Sequence, residues 1–257
     1  MNSMATPGVG LTVLCVVLVG AAAAVYWIAQ LGPVRVAPIA AARAVIQLAA
    51  VAVILAAALA ALWSSILVLV VMFGAAVFTA ARRARAGRSA AWLTVSLGVG
   101  LVATLLPMLV SGVVPLQGVA IVPIGGIILG GTMTATSLAA RRSLDALTER
   151  FGEVEAALSL GLLERDARME IIRTTATDAL LPGVDQTRTV GLVTLPGAFV
   201  GVLVASGSAA HAAAVQVLVL LGLLLAQSCA VAATIELVAT GRVHRSVLNP
   251  ATVADRR

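Results

Sequence analysis

The sequence predicts an all-α integral membrane protein with about seven transmembrane helices in a single domain over residues 1–257. Hydrophobic residues make up 61% of the chain and charged residues only 11%, whereas about a quarter of the residues in a soluble domain are charged. The uncharged runs are long enough to cross a hydrocarbon layer of about 30 Å. The mean hydropathy of +1.09 agrees with this class.

The uncharged runs divide into seven predicted spans. The run from 44 to 81 is nearly twice as long as one span requires, so we predict two spans that meet at the Trp63-Ser-Ser65 cluster. Gly and Pro residues between Ser111 and Gly118 predict a turn between the next two spans. The predicted spans cover residues 9–31, 44–62, 64–81, 91–110, 119–140, 189–206 and 212–240.

The basic residues predict the orientation. All seventeen are arginine, and the densest cluster comprises Arg82, Arg83, Arg85 and Arg88, a kind of short basic loop that stays in the cytoplasm. With seven spans, this places the N-terminus outside and the C-terminus in the cytoplasm, in a multi-pass protein of the plasma (cytoplasmic) membrane. The net charge of +6 favours contact with membrane lipid that has anionic headgroups. Nucleic acid is not expected as a partner, because there is no basic face interleaved with aromatic residues.

The segment 141–188 is the one sizeable polar part of the chain, with nine of the eleven acidic residues and seven of the arginines. We predict a cytoplasmic amphipathic segment between spans five and six. Its periodicity fits two interpretations, a plain connector and a docking surface for a partner. One apolar helical stripe consists of Leu144, Leu147, Phe151, Val154 and Leu158.

The absence of lysine excludes one class of enzyme site. The phosphate-binding loop of P-loop ATPases uses a lysine that reaches the terminal phosphates, and this chain has none. No paired carboxylates, Ser-His-Asp set or Cys-His set stands out in the polar segment. We therefore expect no intrinsic enzyme activity, no catalytic residues and no cofactor in this chain, and ATP with Mg²⁺ would be bound by a partner subunit.

One part of the polar segment resembles a known motif. Glu155-Ala-Ala, followed by Gly161 and then Ile171, is similar to the cytoplasmic coupling motif of ABC transporter permeases, in which a short helix with a Gly turn docks on the ATPase subunit. The resemblance implies an ATPase-coupling role for Glu155, Ala156 and Gly161. The Leu-Pro that ends the family motif is displaced here to Leu181-Pro182.

A longer resemblance indicates the family. Four blocks look like the Fet-type (YbbM/FetB) ABC permeases, the bacterial iron-export family to which plant aluminium-tolerance half-transporter proteins are related. The resemblance covers about residues 35–240 and implies a homodimer that pairs with separate ATPase subunits. Family members commonly carry Met after the last Leu-Pro-Gly, whereas this chain has Ala198 and Phe199. The four blocks are Ala42-Arg-Ala-Val-Ile-Gln-Leu48, Val122-Pro-Ile-Gly-Gly126, Leu158-Ser-Leu-Gly161 and Leu181-Pro-Gly-Val-Asp-Gln-Thr-Arg-Thr-Val-Gly-Leu-Val-Thr-Leu-Pro-Gly197.

In an ABC permease, closure of the ATPase subunits on binding ATP would move the docked polar segment. Span six (189–206) is predicted to transmit this movement and to contain a break. Pro removes a backbone donor and Gly relaxes the turn, and the carbonyls freed at a break can line a polar cavity. A kink needed only for packing fits equally well. Asp185 and Arg188 flank the entry to this span, where they could pair with each other or with the ATPase, or could serve as a helix cap and a membrane-surface anchor. The candidate gate or break residues are Pro182, Pro196, Gly197 and Gly201.

The predicted substrate pathway contains a few polar groups inside the spans. Glu236 is the only acid in a span, where an ionisable group is a functional candidate, although it could also reach the interface. Met133, with Thr132, Thr134 and Thr136 near it, could offer sulfur and hydroxyl contacts to an ion, or could simply fill the packing. The metal ligands are unknown, and His211 and His244 are too isolated to form a metal site. Three glutamines are comparable candidates: Gln47, Gln117 and Gln227.

These observations give one main functional hypothesis and two alternatives. The main one is the membrane permease subunit of an ABC exporter for iron or another metal. One alternative is a secondary carrier driven by an ion gradient, which would depend on Glu236 for coupling. The other alternative is a membrane scaffold that transports nothing.

Overall fold

The computed structural model describes residues 8–58 and 61–245, with backbone only for 54–58, and these ranges are almost entirely helical. The predicted all-α membrane class is confirmed. The chain divides after residue 60 into two compact units. The helices are α1 Val9–Ile28, α2 Val36–Ala58, α3 Leu62–Ala84, α4 Leu93–Val110, α5 Gly118–Glu149, α6 Phe151–Ser159, α7 Glu164–Thr177, α8 Leu181–Thr189, α9 Gly197–Ser206 and α10 Ala209–Ala239.

The first unit is a pair of apolar helices, α1 and α2. None of the described side chains on these two helices is buried, as expected for helices whose surroundings are lipid or other protein segments. Helix α2 begins at Val36, eight residues before the predicted start of the second span. Arg43 and Gln47 therefore lie within a helix, and Gln47 is exposed.

The predicted turn at Trp63-Ser-Ser65 is wrong. Helix α3 begins at Leu62, so these residues form its first turn. The hydroxyls of Ser64 and Ser65 donate to the carbonyl of Ala61 at 2.8 Å and 3.1 Å, which lets polar side chains sit inside a helical start. The boundary between the two helices precedes Leu62.

The second unit is a bundle in which α5 packs against α3, α4 and α10, and α10 packs against α4. Glycines allow these helices to approach closely. A Cβ atom on Gly100 of α4 would lie 2.6 Å from the carbonyl oxygen of Ala226 on α10. Likewise, Gly125 and Gly126 of α5 lie against Leu69 and Met72 of α3. These glycines serve packing within one chain.

One end of this bundle, which we call the arginine end, collects the ends of four helices. Ser89 Oγ, in the 3₁₀ helix Gly87–Trp92 that leads into α4, donates to the carbonyl of His244 at 2.7 Å. Arg245, beyond α10, pairs with Asp145 of α5 at 2.6 Å and donates to the carbonyl of Ala84 of α3 at 3.5 Å. The arginines of the predicted cytoplasmic cluster lie at this end. The orientation of the protein in the membrane stays a prediction.

In the described part of the chain, six helical stretches are long and apolar enough to cross a membrane, whereas seven spans were predicted. The six are α1, α2, α3, 87–110, α5 and α10. The predicted turn between Ser111 and Gly118 is confirmed, since α4 ends at Val110 and α5 begins at Gly118. Helix α5 then continues nine residues past the predicted end of its span, to Glu149.

The predicted span 189–206 is not a single helix. Within it, only Thr189, the last residue of α8, and α9, with ten residues, are helical. At 1.5 Å per residue α9 is about 15 Å long, half the hydrocarbon thickness. A non-helical segment precedes α9, because Gly191 adopts a positive φ of 81° and Pro196 lacks a backbone donor.

Candidate functional site

Helices α6 and α7 form a hairpin at the arginine end, which we call the platform hairpin (Phe151–Thr177). Its turn passes through Gly161, whose φ of +91° lies in the left-handed region that favours glycine. The Gly161 amide donates to the carbonyl of Leu158 at 2.9 Å, and the Leu162 amide donates to that of Ala157 at 3.2 Å. The turn that ends α6 therefore depends on glycine at position 161.

The tip of the platform hairpin is apolar and exposed. Leu160 is 83% exposed and Leu163 is 73% exposed. Glu155 and Ala156, which the coupling motif singles out, lie exposed on α6. The structure thus brings three of the five predicted coupling residues, Glu155, Ala156 and Gly161, onto one hairpin, whereas Asp185 and Arg188 lie on α8.

The opposite face of α7 is buried against the bundle. Because α7 packs on both α5 and α10, a displacement of the hairpin would act on both helices. The buried residues of α7 are Ala167, Met169, Ile171, Ile172 and Ala176.

Polar contacts reinforce this packing. Arg165 of α7 binds Glu236 of α10 with two hydrogen bonds, of 2.7 Å and 2.6 Å. These bonds, together with Asp166, raise the pKa of Arg165 above its ordinary value. Arg168 donates to the carbonyl of Ala239 at 3.3 Å, at the end of α10.

A cleft of about 590 Å³ lies between α6, the end of α5 and the end of α10. The five residues of the predicted apolar stripe all line it, although the stripe is divided between α5 and α6 because α5 ends at Glu149. Charged and polar residues also line the cleft: Glu155, Glu164, Arg168, His244 and Arg245.

Helix α9 and the non-helical segment 190–196 that joins it to α8 form what we call the broken span. The carbonyl of Thr189 accepts bonds from the amides of residues 192, 193 and 194, and the Gly191 amide donates to the carbonyl of Thr194 at 2.9 Å. The predicted break at Pro196-Gly197 coincides with the start of α9, where Pro196 is the capping residue. Pro182 lies in the first turn of α8, and a Cβ on Gly201 would meet no described atom within 4 Å.

The break lies far from the turn that follows α9, and most of its side chains are exposed: Leu192 is 89% and Val193 is 78% exposed. Helix α9 turns into α10 through Gly207 and packs antiparallel against it. Pro196 is therefore about 15 Å from that turn. Non-helical backbone at such a depth occurs in membrane proteins where it is covered by protein or lines a water-filled cavity.

Asp185 and Arg188 both lie on α8 and are exposed. The ion pairs of the described residues do not join them to each other. Helix α8 begins at Leu181, so Asp185 lies within the helix and does not cap its start.

The structure gives the predicted pathway residues different surroundings. Glu236 is paired with Arg165, Met133 is partly buried against the core, and Gln47 belongs to the first unit. Within the described ranges, no group of three or more His, Cys, Asp or Glu side chains could hold a metal ion.

Several buried polar atoms form no hydrogen bond to any described residue. Thr132 and Thr136, one helical turn apart on α5, could be anticipated from the sequence, as could Gln227 of α10. Ser96 of α4 and Gln216 of α10 were not anticipated, because a single polar residue in an apolar run gives no periodic signal. The atoms are the hydroxyls of Ser96, Thr132, Thr136 and Ser143, the amide oxygens of Gln216 and Gln227, and Arg245 Nε.

The chain is similar to several known proteins. It is 33% identical to a UPF0014 membrane protein of Synechocystis over 73% of this chain and 72% of that protein. It is 32% identical to the protein ALUMINUM SENSITIVE 3 of Arabidopsis thaliana over 60% of this chain and 57% of that protein. The probable iron export permease protein FetB of Escherichia coli is 30% identical over 60% of both chains. The chain thus spans less than two thirds of the length of the last two relatives.

No solved structure matches the chain. The model of the uncharacterised protein family UPF0014 matches residues 10–242, nearly the whole chain. Together with the six apolar helices, this match shows that the chain is a multi-pass membrane protein that belongs to the UPF0014 family.

Proposed function

We propose that this chain is the membrane-spanning permease subunit of an ABC transporter that exports iron or another metal from the cytoplasm. Two copies would assemble with separate ATPase subunits in the plasma membrane, with the arginine end in the cytoplasm. The similarity to an iron export permease supports the substrate class. The short basic segments at the arginine end support the orientation.

The platform hairpin carries this proposal. A hairpin tip with two leucines more than 70% exposed, flanked by the acidic residues Glu155 and Glu164, would be unfavourable in water without a partner. A partner cleft with an apolar floor and basic rim would match this tip. The exposed tip is therefore the expected contact for an ATPase subunit.

The platform hairpin also provides a route for movement. Its buried face packs on α5 and α10, and the Arg165–Glu236 pair ties it to α10. Closure of two ATPase subunits would push the tip, and α7 would pass the displacement to these two helices. Span six was predicted to transmit the movement, whereas the packing favours α5 and α10 as the first receivers.

The broken span is the expected lining of the metal pathway. Its backbone carbonyls lie about 15 Å from the Gly207 turn, a depth at which transporters place their substrates. Ala198 and Phe199 follow the break and carry no metal-binding atoms, so backbone and hydroxyl oxygens are the expected ligands there.

Co-purification tests the proposal. The full chain is purified from membranes in mild detergent, and we expect a stoichiometric partner with a P-loop lysine and metal-stimulated ATP hydrolysis in lipid. Leu160→Glu should lower recovery of the partner at least tenfold, because it puts a charge into the apolar contact. Thr174→Glu adds the same charge at an exposed position of α7 away from the tip and should leave recovery unchanged. Repeated purification of the chain alone, or equal recovery with both variants, would contradict the proposal.

A further inference from the structure

Gln227 of α10 is a buried polar residue in the membrane part of the bundle. It is 6% exposed and lies twelve residues before the end of α10 at Ala239, a distance of about 18 Å along the helix. None of the described residues donates a hydrogen bond to its amide oxygen.

The side-chain amide of Gln227 fits between two glycines on different helices. A Cβ atom on Gly183 of α8 would lie 1.9 Å from Gln227 Oε1 and 2.9 Å from its Cδ. A Cβ atom on Gly131 of α5 would lie 3.0 Å from Gln227 Nε2. The amide therefore fills the space that these two glycines leave, and it closes the contact between α8 and the bundle.

An amide is a costly way to fill this space. A buried carbonyl oxygen without a donor has lost its hydration and gained no bond, whereas Leu or Met would fill a similar volume without that loss. A second state of the protein, in which the Gln227 amide meets water or a passing ion, would explain a polar group at this position.

Helix α8 is well placed to move relative to Gln227. It follows α7 directly through the short 3₁₀ helix Asp178–Leu180. The contacts beside it are made largely by small side chains: Ala179 packs with Ala135, Ala139 and Val231. A displacement of the platform hairpin would therefore be passed to α8 and would act on the contact between Gly183 and the amide.

Two further unpaired oxygens belong to α5, one of them on Thr132, whose side chain lies against Gly100 of α4. The hydroxyl of Thr132, the residue after Gly131, and that of Thr136 are buried and receive or donate no bond among the described residues. Neutral oxygen atoms are ligands for hard cations rather than for soft ones.

We propose that the Gln227 amide is the gate of a cation pathway between α8 and the α5–α10 pair, closed in this structure by Gly183 and Gly131. This inference rests on the proposed export function and names the residue that seals the route. Withdrawal of α8 would open the route and turn the amide oxygen towards the cation. Gln227 acts here as a positioning residue.

A leak assay on the purified full chain tests the gate without any ATPase. The chain is placed in liposomes that enclose a dye quenched by Mn²⁺, and Mn²⁺ is added outside. We expect Gln227→Ala to raise the rate of quenching about tenfold or more over the unmodified chain, and Gln227→Leu, which keeps the volume, to stay within about twofold of it. Gln216→Ala is the matched control, because Gln216 is also a buried α10 glutamine with an unpaired amide oxygen.

Gly183→Ala tests the same seal from the side of α8. Its methyl group would overlap Gln227 Oε1, so we expect a leak from this variant as well. Gly183→Ala combined with Gln227→Ala should leak no faster than Gln227→Ala alone, because the methyl group then has room. Each variant is first checked for a single species by size-exclusion chromatography, and a folding failure of one leaves the other to decide.

The outcomes separate the gate from the proposed function. The gate proposal would be overturned if neither Gln227→Ala nor Gly183→Ala raised the rate of Mn²⁺ quenching, or if Gln216→Ala raised it equally. The absence of an ATPase partner would contradict the proposed function, but it would leave this measurement unaffected.

Discussion

Arg165 of α7 and Glu236 of α10 form a two-pronged ion pair, with Nε 2.7 Å from Oε1 and Nη2 2.6 Å from Oε2. The two residues are 71 positions apart in sequence. Glu236 is the one acid of the predicted spans, and its carboxylate is turned towards the platform hairpin. The pair therefore connects the part of the molecule that meets water to a membrane helix.

Substitutions in the Arg165–Glu236 pair should distinguish the ABC permease from the carrier driven by an ion gradient. Glu236→Gln should lower metal export, because α10 loses its polar tie to the hairpin. The free energy of unfolding should change little, since both side chains are about half exposed. The measurement is ATP-driven metal uptake into inverted vesicles, together with thermal unfolding.

The double variant Arg165→Glu with Glu236→Arg supplies the control. It restores an ion pair, so export should recover towards the original rate. A carrier that moves protons through the carboxylate of Glu236 would stay inactive in this variant, because the acid has left α10. Lack of recovery would favour the carrier.

Gly161 should be needed for coupling. Gly161→Ala forces a side chain into a φ of +91° and should destabilise the hairpin turn by about 1 kcal/mol. ATP hydrolysis should then proceed with reduced transport. Gly152→Ala, in α6, meets no described atom within 4 Å and should leave the ratio of metal moved to ATP hydrolysed unchanged. An unchanged ratio in both variants would remove the docking role of the turn.

Two buried threonines should respond differently to the same substitution. Thr234 Oγ1 donates to the carbonyl of Ala230 at 2.6 Å, so Thr234→Val should cost about 1 kcal/mol of unfolding free energy. Thr136 has an unpaired hydroxyl among the described residues, so Thr136→Val should be neutral or stabilising. Thermal unfolding in one detergent compares them, and an equal loss in both would contradict the difference in bonding.

The ion pair between Arg150 and Glu153 at the start of α6 should make the hairpin sensitive to acid. Arg150 Nε donates to Glu153 Oε1 at 2.6 Å, and this hydrogen bond lowers the pKa of Glu153. Because the pKa is lower in the folded state, the ion pair contributes to the stability of the fold. This contribution is fully present above the ordinary glutamate pKa of about 4.3 and is lost as the pH falls through the lower, folded-state pKa.

Arg150→Gln should return the pKa of Glu153 towards its ordinary value and remove that contribution. The unfolding temperatures of the original chain and the variant should differ at pH 6 and converge in strong acid. Curves that stay parallel down to the acid limit would show that the pair adds no pH-dependent stability. Arg173→Gln, on an exposed position of α7, serves as the control for loss of one arginine.

The sequence supported several features because their causes are local. The charges of 141–188 predict the water-exposed part of the chain, and glycine at position 161 suits a turn that needs a positive φ. Ser111-Gly112 and the following Pro115 predict the turn that separates α4 from α5. In each case, the residue types near the feature determine it.

Other features depend on distant residues and could not be predicted. The partner of Glu236 comes from α7, and the fit of Gln227 depends on Gly131 and Gly183 of two other helices. The span 189–206 has enough apolar residues for a membrane crossing, but Gly191 and Pro196 interrupt its helix. Hydropathy alone counts apolar residues and does not detect that interruption.

Helix α5 runs without interruption from Gly118, at the turn after α4, to Glu149, beside the platform hairpin. Its 32 residues make a rod of about 48 Å. A tilt of about 5° around its midpoint would carry the two ends about 2 Å in opposite directions. Because one rod serves both sides of the bundle, closure on one side and opening on the other would be a single event, and the two sides would not open together.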